Sequence, residues 1–154
     1  MILSFSKARF VDLINAGEKI HTIRRDEKKR WKVGAKIHFW YGSPRNKQTA
    51  EGLQPYGFPA PDRFYEGGEF GIVTSVQEVL LQYSAISDSL VIRVLDPKTL
   101  RFRHWLSENQ IEELAKNDGL TIEEMKNWFV PNPDDIFYGR IIQWKPDPVI
   151  YGRG

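Results

Sequence analysis

Two closely spaced capping boxes constrain this chain more than any other feature. In Ser107-Glu108-Asn109-Gln110, and again in Thr121-Ile122-Glu123-Glu124, a hydroxyl is followed three residues later by a side chain that can reach back to its N–H. Leu120 and Met125 flank the second box at the spacing of a hydrophobic staple, and Asp118-Gly119 punctuates the join. Two short consecutive helices are predicted, and the rest of the chain must accommodate them.

What surrounds them reads as strand. Residues 35–41 have the aromatic and β-branched content of a strand, entered through Val33-Gly34 and closed by Gly42-Ser43-Pro44. Residues 70–81 read as another strand, and residues 90–94 and 100–103 as a hairpin around Asp96-Pro97-Lys98-Thr99. Strict alternation puts Arg101 and Arg103 on one face as a small basic stripe. Residues 135–144 make a last strand, and the Pro/Gly-containing tail 146–154 is expected to be loose. Near the start, Phe10, Leu13 and Ile14 recur at helical spacing, with Ser6 as the expected cap and Gly17 as the left-handed stop. Residues 43–69 concentrate Pro44, Pro55, Pro59, Pro61 and four glycines in a long loop, whose Tyr56, Phe58, Phe64 and Tyr65 favour an ordered lid.

Strands flanking a helical insert give an α+β order. Regular βαβ alternation is absent, no Gly-rich phosphate loop follows a strand, and there is no internal repeat. A Rossmann or P-loop nucleotide cofactor is therefore not expected, and no cofactor of any kind is. At 154 residues and 41% apolar, the chain can bury one core as one domain. With no cysteine, disulfides, thiolate metal sites and thiol nucleophiles are excluded. The first residues turn basic and amphipathic too soon for a signal peptide, and no apolar run approaches membrane-spanning length, so a soluble, cytoplasmic protein without a membrane partner is expected.

Net charge is only +2, but its signs are segregated. From Lys19 to Lys36, Lys19, Arg24, Arg25, Lys28, Lys29, Arg30, Lys32 and Lys36 stand against Asp26 and Glu27, a local +6. From Glu108 to Asp135 the balance reverses to −6, with Glu108, Glu112, Glu113, Asp118, Glu123, Glu124, Asp134 and Asp135 against Lys116 and Lys126. A basic run of that density can neutralise phosphates and release counterions, or it can simply be a solvated face.

Chemistry is most plausible in Lys19 to Arg25, where an amine, an imidazole, a hydroxyl and two guanidiniums fall within a few residues of a helix end. A desolvated lysine near arginines loses proton affinity, so Lys19 is a candidate general base and Thr22 the hydroxyl it activates, with Asp118 or Glu69 as the orienting carboxylate. A flat strand would send Lys19 and Thr22 to opposite faces, so the pairing requires a bend after the first helix. The bland alternative is a basic strand edge. His21, His38 and His104 are too scattered for a metal site, and none is expected. Of the five tryptophans, Trp128 and Trp144 read as core, while Trp31 and Trp40 lie beside basic residues and suit base stacking.

Taken together, Ile2-Leu3-Ser4-Phe5, Gly17-Glu18-Lys19-Ile20-His21-Thr22-Ile23-Arg24, Trp31-Lys32-Val33-Gly34, Ile37-His38-Phe39-Trp40, Ala115-Lys116-Asn117-Asp118-Gly119, Trp128-Phe129 and Gly139-Arg140-Ile141-Ile142 resemble an ASCH domain. The likeness spans residues 1 to about 145, with residues 43–69 as an insertion and 146–154 as a C-terminal tail. Gly-x-Lys-x-x-Thr-x-Arg is its most specific part. The resemblance implies a PUA-like fold, a small β-barrel with helices packed against it and a cleft lined by that motif. It also implies RNA binding. One bacterial branch of the family is an amidohydrolase that deacetylates N4-acetylcytidine, and another member is a ribonuclease. The amidohydrolase set of lysine, threonine and glutamate maps onto Lys19, Thr22 and Asp118, the last one methylene shorter than the family's glutamate.

Two functional readings follow. In the first, the cleft binds RNA or a modified nucleoside through Arg24, Arg25, His21, Trp31, Trp40 and Arg45. In the second, Lys19, Thr22 and Asp118 deacetylate an N4-acetylcytidine-type nucleoside, with ribonuclease activity as a further alternative. An adaptor role for the acidic helices has no motif behind it. The oligomeric state is open, with a monomer as the default.

Overall fold

The structure is a computed structural model that describes residues 1–42, 62–96 and 101–152. Nine strands and three helices lie among the described residues: β1 (Ile2–Phe5), α1 (Ala8–Asn15), β2 (His21–Arg24), β3 (Lys36–Tyr41), β4 (Asp62–Arg63), β5 (Gly71–Ile72), β6 (Ser75–Ser84), β7 (Ser89–Asp96), β8 (Arg101–Trp105), α2 (Glu108–Asn117), α3 (Ile122–Phe129) and β9 (Ile136–Gln143). This is an α+β fold. Both capping boxes form: Ser107 accepts from Gln110 N and Thr121 from Glu124 N, while each N3 side chain returns a bond to the cap. Helix α1 starts one residue later than its sequence suggests. Its N-cap is Lys7, without a side-chain cap, so Ser6 lies outside the helix and does not cap it.

Five strands make one antiparallel sheet in the order β2-β9-β6-β7-β8. Val79 and Leu81 on β6, and Leu90, Ile92 and Val94 on β7, point into the core at the two-residue period of a half-buried sheet. The second sheet is small, with β1 parallel to β3, and β4 and β5 antiparallel to β3. The strand expected over 70–81 is two strands, because the chain crosses between sheets at Val73 and Thr74. Val73 N bonds Ala35 O on the small-sheet side, and Thr74 N bonds Gln143 O on the other. The sheets face each other across a single apolar core, in which Phe39 meets Trp144 edge-on at 5.0 Å and stacks on Phe5 at 6.5 Å. They are not hydrogen-bonded into a closed barrel among the described residues.

Phe64 and Tyr65, expected in a lid, pack against Phe39, so this end of the insertion is tied to the core. The rest of that loop, including Tyr56 and Phe58, lies outside the described residues, as do the 97–100 turn and the side chains of Arg101 and Arg103. The segment after β9 is not loose. Val149 exchanges two hydrogen bonds with the Gln143 side chain, and Tyr151 is buried. No helix among the described residues is long and apolar enough to cross a membrane.

Candidate functional site

Lys19 owes its position to the end of α1. Gly17 takes the left-handed conformation at φ 75°, letting Glu18 N bond Leu13 O and Gly17 N bond Ile14 O in a Schellman-type stop. Lys19 N also bonds Leu13 O, after which Ile20 N reaches Asn117 O at the end of α2 and Ile20 O accepts from Trp144 N. The residue is thus held between two helix C-termini and does not belong to β2, which begins at His21. Strand alternation therefore does not apply to it. Lys19 and Thr22 line the same cavity, which is the bend that their pairing required.

That cavity has a volume of about 150 Å³ and lies between the end of β1, α1, β2 and the α2–α3 junction. Phe5, Phe10, Leu120, Trp128 and Phe129 form its apolar wall, and Lys19, Thr22, Arg24 and Asp118 its polar one. Lys19 is buried, and its Nζ donates to His21 O at 2.8 Å, Asp118 O at 2.5 Å and Asp118 Oδ1 at 3.2 Å. The same nitrogen lies 4.8 Å from the Phe10 ring centre and 5.7 Å from that of Phe5, within cation–π range. Gly119 lets the chain turn beside it. It adopts φ +81°, and a Cβ there would press on Leu13 Cδ1 at 3.1 Å and Lys19 Cδ at 3.3 Å.

Burial lowers the Lys19 pKa from its ordinary 10.5; Asp118 opposes this, while Arg24 and Arg9 add to it. The amine thus becomes easier to deprotonate than an exposed one. Thr22 Oγ1 accepts from Arg24 Nε at 3.3 Å, and Arg24 Nη2 donates to Ser4 O at 2.8 Å. Thr22 is therefore engaged with Arg24 while Lys19 is engaged with Asp118, and no hydrogen bond joins Lys19 to Thr22. Burial lowers the Arg24 pKa too.

Of the expected site residues, Lys19, Thr22, Asp118 and Arg24 come together. Glu69, the other candidate carboxylate, is exposed and does not line the cavity. His21 cannot touch a ligand as expected, since it is 0% exposed and lies between Asp118 and Tyr151. Trp31 is not a stacking platform either. It is buried, its N–H donates to Asp26 and its carbonyl accepts from Arg140. Arg25 lies over the Phe137 ring at 4.8 Å and borders a separate surface depression, and Trp40 does not line the cavity. Arg45 lies outside the described residues.

Trp128, expected in the core, is half exposed and forms part of the cavity wall, tilted against Phe10 at 5.8 Å. The signal that could have found it is its place three residues after the wholly buried Met125, at the edge of the buried face of α3. Tyr151 was missed as well, and nothing local in the sequence marks it. Among the described residues, no group of three His, Cys, Asp or Glu side chains is gathered as a metal ion would need. Compared with known proteins, the chain matches no family model, no curated protein and no solved structure.

Proposed function

We propose that this chain recognises a single nucleobase, carried by a modified nucleoside or by single-stranded RNA, in the cavity that holds Lys19, Thr22, Arg24 and Asp118. The cavity's size and lining carry this reading. About 150 Å³ is the volume of an engineered cavity that accepts a benzene ring, which suits one pyrimidine and excludes an oligonucleotide. Aromatic faces on one side and donors and acceptors on the other are what a splayed base needs for stacking and edge recognition. The ASCH resemblance of Gly17 to Arg24 points the same way, and the two sheets are read with it as an open relative of a PUA-like barrel.

Calorimetry with cytidine, N4-acetylcytidine, uridine and short RNAs tests the proposal. Saturable binding that Arg24→Ala or Trp128→Ala weakens is expected. For RNA, affinity should fall as salt rises. Absence of binding to every one of these would sink it.

One observation favours a second, catalytic reading: a buried amine with lowered proton affinity shares a cavity with a hydroxyl and a carboxylate. In that reading Lys19, neutral once it has given up one of its three hydrogen bonds, takes the proton of Thr22 Oγ as that oxygen leaves Arg24 and attacks the acetyl carbonyl. Arg24 stabilises the oxyanion, Lys19 returns the proton to the departing N4 amine, and water then cleaves the threonyl ester to acetate. Cytidine and acetate are the expected products from N4-acetylcytidine. Full turnover retained in Thr22→Ala would remove this reading and leave the binding one standing.

A further inference from the structure

Behind the cavity lies a buried hydrogen-bond chain whose donor directions are fixed by chemistry. Asp118 Oδ1 faces both Lys19 Nζ at 3.2 Å and His21 Nδ1 at 3.1 Å. A carboxylate has no proton to give, so Nδ1 carries the hydrogen and donates. Burial lowers the His21 pKa, leaving the imidazole neutral, and Nε2 must then accept. Its partner at 2.7 Å is the Tyr151 hydroxyl. That hydroxyl keeps its proton, because burial raises its pKa, and its oxygen in turn accepts from Asn117 Nδ2 at 3.0 Å. The order runs from Asn117 through Tyr151 and His21 to Asp118, every donor pointing one way.

The segment carrying Tyr151 is also clamped. Gln77 Nε2 donates to Tyr151 O at 2.8 Å, and Tyr151 N donates to Gln77 Oε1 at 3.2 Å. A reciprocal pair from near the start of β6 fixes this backbone, and the ring meets His21 edge-on at 5.6 Å.

We infer that Tyr151 is a positioning residue for the cavity, holding His21 in the Nδ1–H tautomer so that the imidazole fixes Asp118 against the Lys19 amine. Its functional consequence rests on the proposed nucleobase site, but the hydrogen-bond order does not. Tyr151 touches no ligand in this scheme and acts only through His21.

The first measurement is on the intact chain with 15N-labelled histidine at neutral pH. His21 is expected neutral, with a protonated Nδ1 and a bare, hydrogen-bonded Nε2; a protonated Nε2 overturns the proposal. The second is a double-mutant cycle of Tyr151→Phe and His21→Asn, the asparagine amide keeping a donor toward Asp118. Tyr151→Phe should weaken cytidine binding about tenfold, the lower end of what losing such an outer partner costs around metal ligands. In the His21→Asn background it should do nothing further. An equal loss in both backgrounds overturns the proposal, since Tyr151 would then act by another route.

If the intact chain binds no nucleoside, the proposed function fails by itself, and the same cycle is read on Lys19. Its side-chain carbon titration reports the amine in the field of Asp118, Arg24 and Arg9, and should move to lower pH in Tyr151→Phe. An unchanged titration overturns the inference.

Discussion

Two ion pairs in this molecule, one half-buried and one buried, look alike on paper and differ in what surrounds them. Arg140 Nη1 meets Asp26 Oδ2 at 2.5 Å, and the same carboxylate accepts from the backbone of Arg30 and Trp31. Burial works against the Asp26 charge, but those three donors outweigh it and lower its pKa. Lys19 and Asp118 are 3.2 Å apart, and here burial prevails over the carboxylate, pulling the amine away from its charged form. The first pair is surrounded so that the Asp26 charge is compensated, although Arg140 Nε is left without a partner, and it ties the loop after β2 to β9. The second is held in a conflict that a purely structural contact would gain nothing from, and it opens onto a cavity. Proximity alone does not separate a strut from a site; the balance between desolvation and compensation does.

The comparison breaks most visibly at Asp26. Asp26→Ala strips the partner from the half-buried Arg140 guanidinium and should cost about 3 kcal/mol of stability, read from urea unfolding, while folded protein still binds nucleoside normally. A cost below roughly 1 kcal/mol would class this pair with surface contacts. The double variant Lys19→Met/Asp118→Asn should do the reverse. Affinity is expected to fall about a hundredfold, roughly 2.7 kcal/mol, with stability within about 1 kcal/mol of the parent. Smaller still is Trp128→Ala, where loss of one stacking face should reduce affinity about tenfold, or roughly 1.4 kcal/mol.

The gentlest test is pH. His21 has a folded-state pKa below its ordinary 6.5, so on acidification the unfolded chain takes up a proton before the folded one does. Stability therefore falls as pH drops below 6.5, and His21→Asn should flatten that slope in a melting-temperature series. The lowered Asp26 pKa puts its own loss of stability below its ordinary 3.8, so the losses from the two regions should set in at different pH, that of His21 first.

The sequence was most legible where four residues suffice. Both capping boxes form as written, because a cap is closed by neighbours in the chain. The bend that brings Lys19 to Thr22 was legible as a requirement, and it is met because Lys19 and Ile20 lie outside β2, with Ile20 tied to Asn117 and Trp144. Burial was harder. Trp31 and Trp128 exchanged roles, since which way a tryptophan faces is decided by β9 and by the packing of α3, not by basic neighbours. His21 sits in the stretch singled out from the sequence yet does not line the cavity, because it is held behind the cavity wall between Asp118 and Tyr151. Tyr151 was invisible because its partners are far off in the chain and its local surroundings are proline and glycine.

Those long separations have a kinetic side. Lys19 and Asp118 are 99 residues apart, and His21 and Tyr151 are 130 apart, while among the described residues β2 has only β9 as its strand neighbour. Each contact must close a long loop before it is rewarded, which slows folding. During synthesis, which runs from the N-terminus at roughly 5–20 residues per second, the Gly17 to Arg24 stretch waits exposed and basic for several seconds until its partners emerge. The segment that lines the candidate site is thus written early and assembled last.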